Sequence, residues 1–515
     1  MTSHPLIAVS CLALLLHVHP GAAAQGSPAP DSLGEARQLA EKGELNSAEA
    51  LVRKVLAQSP QSAAALLVLG GVLERRGDLA GATDAYERAI VEDPKSATAH
   101  DKLGFVLGRQ NRVQDALAAF SRAIELDPKY FDAQYHLGAT RWWTRDLPGA
   151  LAPLRAAVAL RADHPEAQYY LGATLRQLGH AEEALDHLRR AVRLAPALAP
   201  AHLQLGVALQ ARGDLDEALI HLQRAVEIDP ASPDALNSLG LAQMHKGEGR
   251  LAVETFRRAA TSDPAFPAAR LNLATALIHQ GDLAAAVDVL RALTADEPRN
   301  AEAFYNLGIA LKGQDAFEPA EEALRKAMEL APAMADAPFT LGVLLWQTGR
   351  AEEAASAFRA ALERKPDSAD AHFMLATILR QQGDTEAAVE HLRRSIAAGP
   401  DAAEAHQSLA QILQQKGDLA GARAAQAEAD RLNRRTADAQ ASVFALSVGE
   451  QKLQAGDQAG AIAQFREAIR LAPDNAQAHQ ALALALEKAG ALSEARRHFE
   501  EARRLAPQTR EAPRP

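Results

Sequence analysis

The chain has 515 residues, a net charge of −10, and 48% hydrophobic but only 4% aromatic content. The acidic balance argues against a nucleic-acid partner, whose phosphates demand a basic face, and against adsorption to anionic lipid. Much of the apolar fraction is alanine and leucine, both strong helix formers whose modest side chains suit close-packed helices better than the centre of one large globule.

The first predicted element is a targeting segment, residues 1–24. Leu6 to Leu16 is an apolar run broken only by Ser10, and Ala22-Ala23-Ala24 follows. An apolar stretch before an A-x-A site predicts a signal peptide cleaved after Ala24, hence a periplasmic or secreted protein. The run is shorter than the roughly 20 residues a spanning helix needs, so no integral membrane span is expected. Met1 to Pro5 contains no Lys or Arg, which departs from the usual signal pattern. The one cysteine, Cys11, lies in this leader. A chain without its leader has no thiol for disulfides, nucleophilic catalysis or zinc. Residues 25–30, QGSPAP, read as a linker.

Beyond the linker one period of 34 residues dominates. Stepping by that period from Ala48 reaches alanine at 82, 116, 150, 184, 218, 252, 286, 320, 354, 388 and 422. After a five-residue offset the series resumes at Ala461 and Ala495. Prolines keep the same frame at Pro60, Pro94, Pro128, Pro196 and onward to Pro507. Residues 301–334 show the unit: an amphipathic helix, a turn at Gly313-Gln314-Asp315, a second helix and a stop at Pro332. Most other turns are Gly-Asp pairs such as Gly77-Asp78, with glycine closing one helix and aspartate capping the next. The repeated alanine is expected where the two helices cross, a contact that admits only a small side chain.

Leu-Gly in the first helix (Leu171-Gly172, Leu205-Gly206, Leu307-Gly308), the turn glycine, the crossing alanine and later residues such as Ala225 and Pro230 resemble the tetratricopeptide repeat family. The resemblance covers residues 29 to about 509. It implies an all-α, right-handed superhelical solenoid of about 14 helical hairpins whose first helices line a concave channel. Twelve repeats would fill 29–436, an offset pair 437–509, and a tail 510–515. Two places depart from the pattern. Repeat four (131–164) has Arg145 in place of the turn glycine, Ala162 in place of the stop proline, and Pro153 inside its second helix, where proline tends to kink. The segment 430–441 lacks a stop proline, predicting a lengthened helix or a shallow hinge with Thr436 as a possible N-cap.

At about 100° per residue, positions 4, 7, 8 and 11 of each first helix share one face. Positions 2, 5, 6, 9, 12 and 13 cluster opposite, and the resemblance puts them on the concave surface. Acids such as Asp132 and Glu302 at position 2 and bases such as Arg75 and Lys312 near helix ends suit the helix dipole. Aromatics are more telling. Of six tyrosines and three tryptophans, Tyr135, Trp142, Trp143, Tyr169 and Tyr170 fall on one predicted concave patch in repeats four and five. Phe105, Arg109 and Arg176 lie nearby. Exposed aromatics with arginine mark binding hot spots, so these eight residues are the expected partner site; filling of the irregular repeat's own distortion is the structural alternative. A second group comprises Tyr305, Phe339, Phe373 and Trp346.

Asn272 and Asn306 at position 6 are similar, for two rungs only, to the asparagine ladder of O-linked N-acetylglucosamine transferase. No repeat pairs Lys at position 5 with Asn at position 9, the carboxylate clamp of chaperone-binding relatives. The histidines at position 4 (His100, His202, His372, His406, His479) sit on the packing face, too far apart to share a metal. No HExxH, phosphate loop or dinucleotide fingerprint is present, and the repeats leave no stretch for a catalytic domain. The expectation is a non-enzymatic scaffold without cofactor or metal. It would bind partner proteins or extended peptides in its groove, in envelope assembly or secretion. The alternative is a periplasmic accessory that handles glycan in polysaccharide secretion. A further one is a non-catalytic relative of the transferase just named.

Overall fold

A computed structural model describes residues 30–505. The expected signal peptide with Cys11, most of the expected linker and the tail lie outside the described residues. Among the described residues there are twenty-seven helices and no strand. The chain packs as two compact units that divide between Ser238 and Leu239.

Each hairpin follows from a few local choices. In repeat two, the Ser62 hydroxyl accepts from Ala65 N at 3.3 Å and starts the helix Ala63–Arg76. Gly77 ends it in the left-handed conformation, with φ +85°, and Asp78 Oδ1 accepts from Gly81 N at 2.9 Å to start Leu79–Glu92. The crossing alanines are fully buried from Ala48 through Ala388. Beside them, glycine in the first helix lets a large residue of the second helix press onto backbone: Gly104 against Phe120, Gly172 against Leu188, Gly308 against Leu324. Both devices keep the paired helices close, so the core is a thin row of contacts repeated along each unit.

The left-handed turn residue recurs in every repeat, and three are not glycine: Asn111, Arg145 and Asp315. The expected turn at Gly313 is therefore corrected. Gly313 is the last residue of its helix and Asp315 takes the positive φ, at +58°. Arg145 holds φ +65°, a strained position for a β-carbon. Arg145→Gly should raise stability by about 1 kcal/mol, read as a higher urea midpoint with unchanged helicity.

Pro153 is buried inside the helix Leu147–Leu160, which continues unbroken around it. Proline leaves the carbonyl four residues earlier, that of Gly149, without its helical donor. Arg141, from the hairpin's first helix, donates its Nη1 to Gly149 O at 2.9 Å instead.

In the second unit, Leu419–Gln454 is one helix of 36 residues. It serves as the second helix of repeat twelve and the first of repeat thirteen, which is why fourteen hairpins have twenty-seven helices. No proline or glycine interrupts 430–441, so nothing ends the helix there. Thr436 is not an N-cap: its hydroxyl donates to Leu432 O at 3.1 Å, within the helix. Residues 433–441 are all exposed. Ser442 resumes the packing, donating its Oγ to Ala468 O at 2.7 Å. Repeats two to twelve and fourteen bury an alanine at position 3, from Ala65 to Ala478. Here that position is Phe444, 72% exposed.

Candidate partner-binding site

The candidate patch lies in the first unit, on three successive first helices: Ala97–Arg109, Phe131–Trp143 and Pro165–Gln177. Identical 34-residue spacing sets equivalent positions side by side, so an aromatic in one repeat meets an aromatic in the next. Tyr135 stacks parallel on Phe131, ring centroids 5.9 Å apart, and tilts against Tyr170 at 6.0 Å. Trp142 meets Trp143 edge to face at 5.1 Å and Tyr170 at 5.3 Å. Trp143 Nε1 donates to the Tyr170 hydroxyl at 3.1 Å. These geometries are the favourable edge and offset arrangements of aromatic quadrupoles.

The members differ in exposure. Trp143 is the open one, 62% exposed. Trp142, Tyr135, Tyr170 and Phe105 are half-buried. The buried Nε1 of Trp142 has no hydrogen-bond partner. Tyr169 departs from expectation: it is only 8% exposed and packs in the core with Leu185, Leu188 and Leu205. A helical wheel treats each first helix as bare on its inner side, whereas first helices of successive repeats touch one another and cover part of that face. Burial accordingly pushes the Tyr169 phenol well above its ordinary pKa.

The arginines are peripheral to the rings. Arg109 is exposed, its Nη1 3.9 Å from Glu74 Oε1. Arg176 donates its Nε to Gln204 Oε1 at 2.9 Å, in the next repeat. Burial lowers the Arg176 guanidinium from its ordinary value, an effect opposed by Tyr169. In the second unit, Tyr305, Phe339, Phe373 and Trp346 are half-buried and pack onto the core. Asn306 Nδ2 donates to Glu302 O of its own helix at 2.9 Å, which occupies that rung of the short ladder.

Four residues unremarked in the sequence complete the cluster. Phe131 and His164 close the Tyr135 side, with His164 4.8 Å from Phe131 and 5.1 Å from Tyr135. His136 lies 5.2 Å from Phe105 and donates its Nδ1 to Asp101 Oδ1 at 2.8 Å. Asp101 is completely buried. Burial and the nearby Asp101 carboxylate raise the Tyr130 phenol above its ordinary value. The available signal was periodicity: Asp101 is one period before Tyr135, the one charged residue at a position where the other repeats carry aromatic or apolar residues or an uncharged amide. The site thus presents an indole edge and face, supported by a second row of rings and one buried carboxylate held by a histidine hydrogen bond. It offers apolar area and stacking rather than a reactive centre. Among the described residues no group of three or more His, Cys, Asp or Glu could hold a metal ion.

Family models for the tetratricopeptide repeat match residues 33–97, 305–369, 339–400 and 373–439, 243–308 and 165–198. A model for the TPR repeat matches 109–142, 209–247 and 449–490. The chain belongs to the tetratricopeptide repeat family. As a tetratricopeptide array it is a protein-interaction scaffold, of a family that binds protein or peptide partners and is typically non-catalytic. Among solved structures it is similar to YrrB, described as a TPR protein with an unusual peptide-binding site, at 28% identity and TM-score 0.33 over 36% of this chain and 96% of YrrB. It is similar to MamA at 25% identity and TM-score 0.30, over 32% of this chain and 95% of MamA. The Cut9-Hcn1 heterotetramer of the APC/C aligns over 92% of both chains at 17% identity and TM-score 0.35. No curated protein matches the chain. Among the described residues no helix of this tetratricopeptide array is long and apolar enough to cross a membrane.

Proposed function

We propose that this scaffold engages its partner, a protein or an extended peptide, at the aromatic cluster of repeats four and five, with Trp143 as the anchor. The supporting observation is the 62% exposed Trp143 ring, oriented by its hydrogen bond to Tyr170 and backed by Trp142. Large, immobilised aromatics with a polar handle carry most of the energy in protein interfaces. Trp142 is a poorer target for mutation, because it packs against both neighbouring core clusters. Trp143→Ala removes contact area without opening the core. It should weaken partner binding at least about tenfold while leaving helicity and urea midpoint unchanged. A photo-crosslinker placed at position 143 in the native cell names the partner in the same strain. Unchanged affinity for that partner in Trp143→Ala would remove the site assignment.

The apolar run and Ala22-Ala23-Ala24 support export to the periplasm or beyond, and with it a role in envelope assembly or secretion. Mass spectrometry of the mature N-terminus tests export: a chain beginning at Gln25 supports it, and an intact Met1 overturns it. An exposed indole also suits sugar stacking, the observation that keeps a glycan-handling role as the second reading. Binding of a glycan array that is lost with Trp143→Ala would favour it over a peptide.

A further inference from the structure

A polar clamp recurs inside individual hairpins, joining position 4 of the first helix to position 23 on the second. In repeat six, His202 Nε2 lies 3.2 Å from Pro196 O and its Nδ1 lies 3.0 Å from His221 Nδ1. In repeat eleven, His372 makes the same contacts, 3.0 Å to Pro366 O and 2.8 Å to His391 Nδ1. In repeat fourteen, His479 does so at 3.1 Å to Pro473 O and 3.0 Å to His498 Nδ1.

The partners dictate the protons. A carbonyl only accepts, so the inner ring carries its proton on Nε2 and donates to the proline carbonyl. Its Nδ1 is then a bare acceptor, and the outer ring must donate from Nδ1. Repeat five supplies a natural comparison. Gln168 stands in place of the inner histidine, donating Nε2 to Ala162 O at 2.6 Å and accepting from His187 Nδ1 at 2.6 Å. The clamp is the same, but its acceptor is an amide oxygen that takes up no proton.

We propose that the His202–His221, His372–His391 and His479–His498 pairs are acid-sensitive latches that loosen their own hairpins as pH falls, while the Gln168–His187 clamp holds. A first proton on either ring leaves one Nδ1–H donating to one bare Nδ1, so the clamp survives it. The second proton has only that bare Nδ1 to occupy. It sets two N–H groups face to face and breaks the clamp. The surroundings oppose that charge. His202 and His221 face Arg224 and Glu217 on their own hairpin and Arg189 from the preceding helix. His391 faces Arg394 and Glu390, with Arg359 from the preceding hairpin. His498 faces Glu494 and Arg497, with Arg466 from the preceding hairpin, and Glu501 senses both His479 and His498. Burial, then the neighbouring histidine, lowers His221, His391 and His498 below their ordinary value, and burial lowers His202. A depressed folded value means that the unfolded chain binds protons first. Stability is therefore complete above about pH 6.5 and declines as pH falls below it.

The test is hydrogen exchange by mass spectrometry on the full chain at pH 7 and pH 5, corrected for intrinsic exchange rates. Burial also lowers His187 and the capping His164, so 165–194 should lose some protection at pH 5, whereas peptides from 199–228, 369–398 and 476–505 should lose about tenfold more. That comparison lies within the wild-type molecule and requires no variant. The triple variant His202→Gln, His372→Gln, His479→Gln copies repeat five and should bring the acid loss down to that of 165–194 while keeping pH 7 protection. Equal loss in all four hairpins, or an equal loss in the triple variant, overturns the proposal.

Discussion

Gly342→Leu is expected to cost about 3 kcal/mol of stability, near the upper end of ordinary overpacking penalties. A β-carbon at Gly342 would stand 2.7 Å from Phe358 Cε1 and 2.8 Å from Cδ1. Phe358 is fully buried and cannot swing aside into solvent. The chain itself shows the remedy. Five repeats carry alanine at the glycine position; in repeats eight and eleven the facing residue is a buried leucine, Ala274 with Leu290 and Ala376 with Leu392, and where alanine does face a phenylalanine, Ala483 with Phe499 in the last hairpin, that ring is only half-buried. Gly342→Ala alone should cost about 1 kcal/mol or more, and adding Phe358→Leu should recover part of that loss by restoring a pairing the fold already uses. Urea unfolding of the four proteins completes the cycle. A leucine variant as stable as wild type would show that the helices separate more readily than the static packing implies.

The second expectation concerns Pro153, where removing a residue should strengthen the protein. Pro153→Ala restores an N–H that can donate to Gly149 O, and is expected to stabilise by about 2 kcal/mol, less than the full helix-interior proline penalty because some ring packing is lost. In the wild-type background Arg141→Ala leaves that carbonyl without its charged donor and should cost about 2 kcal/mol. In the Pro153→Ala background the same change should cost little, because the helix supplies the donor. The coupling between the two sites, measured by thermal or urea unfolding, carries the argument. Simple additivity would mean that Arg141 stabilises the repeat by some other contact.

The register of the fold was legible because it rests on residues with one steric task each. Alanine at the helix crossing, glycine at the left-handed turn and proline at the stop cannot be exchanged freely, so they repeat in phase. Features that depend on two neighbouring repeats were not legible. Asp101 and His136 are unremarkable alone and meet only because adjacent first helices touch. Tyr169 looked exposed on its own helix and is covered by the next. The same limit hid the arginine that substitutes for the missing donor below Pro153. Within the candidate site, the sequence located the cluster and its open member, Trp143. It did not separate that exposed ring from the half-buried rings packed around it. The histidine latches escaped for a related reason: position 4 was read as packing surface, and its partner at position 23 belongs to the other helix of the hairpin.

The long helix Leu419–Gln454 has a consequence for how the second unit comes apart. Elsewhere a hairpin is held to its neighbour by side-chain interfaces, and in such arrays those interface energies make unfolding cooperative. Across residues 433–441 every side chain is exposed, so beyond surface charge contacts such as Arg435 with Asp401 the stretch rests on the helix's own backbone hydrogen bonds. A solvated helical stretch of nine residues is marginal by itself, since helices this short rarely outlast their tertiary support. Under force or denaturant this stretch is expected to act as a fuse, with hydrogen exchange at 433–441 and in the last two hairpins rising before that of repeats seven to twelve.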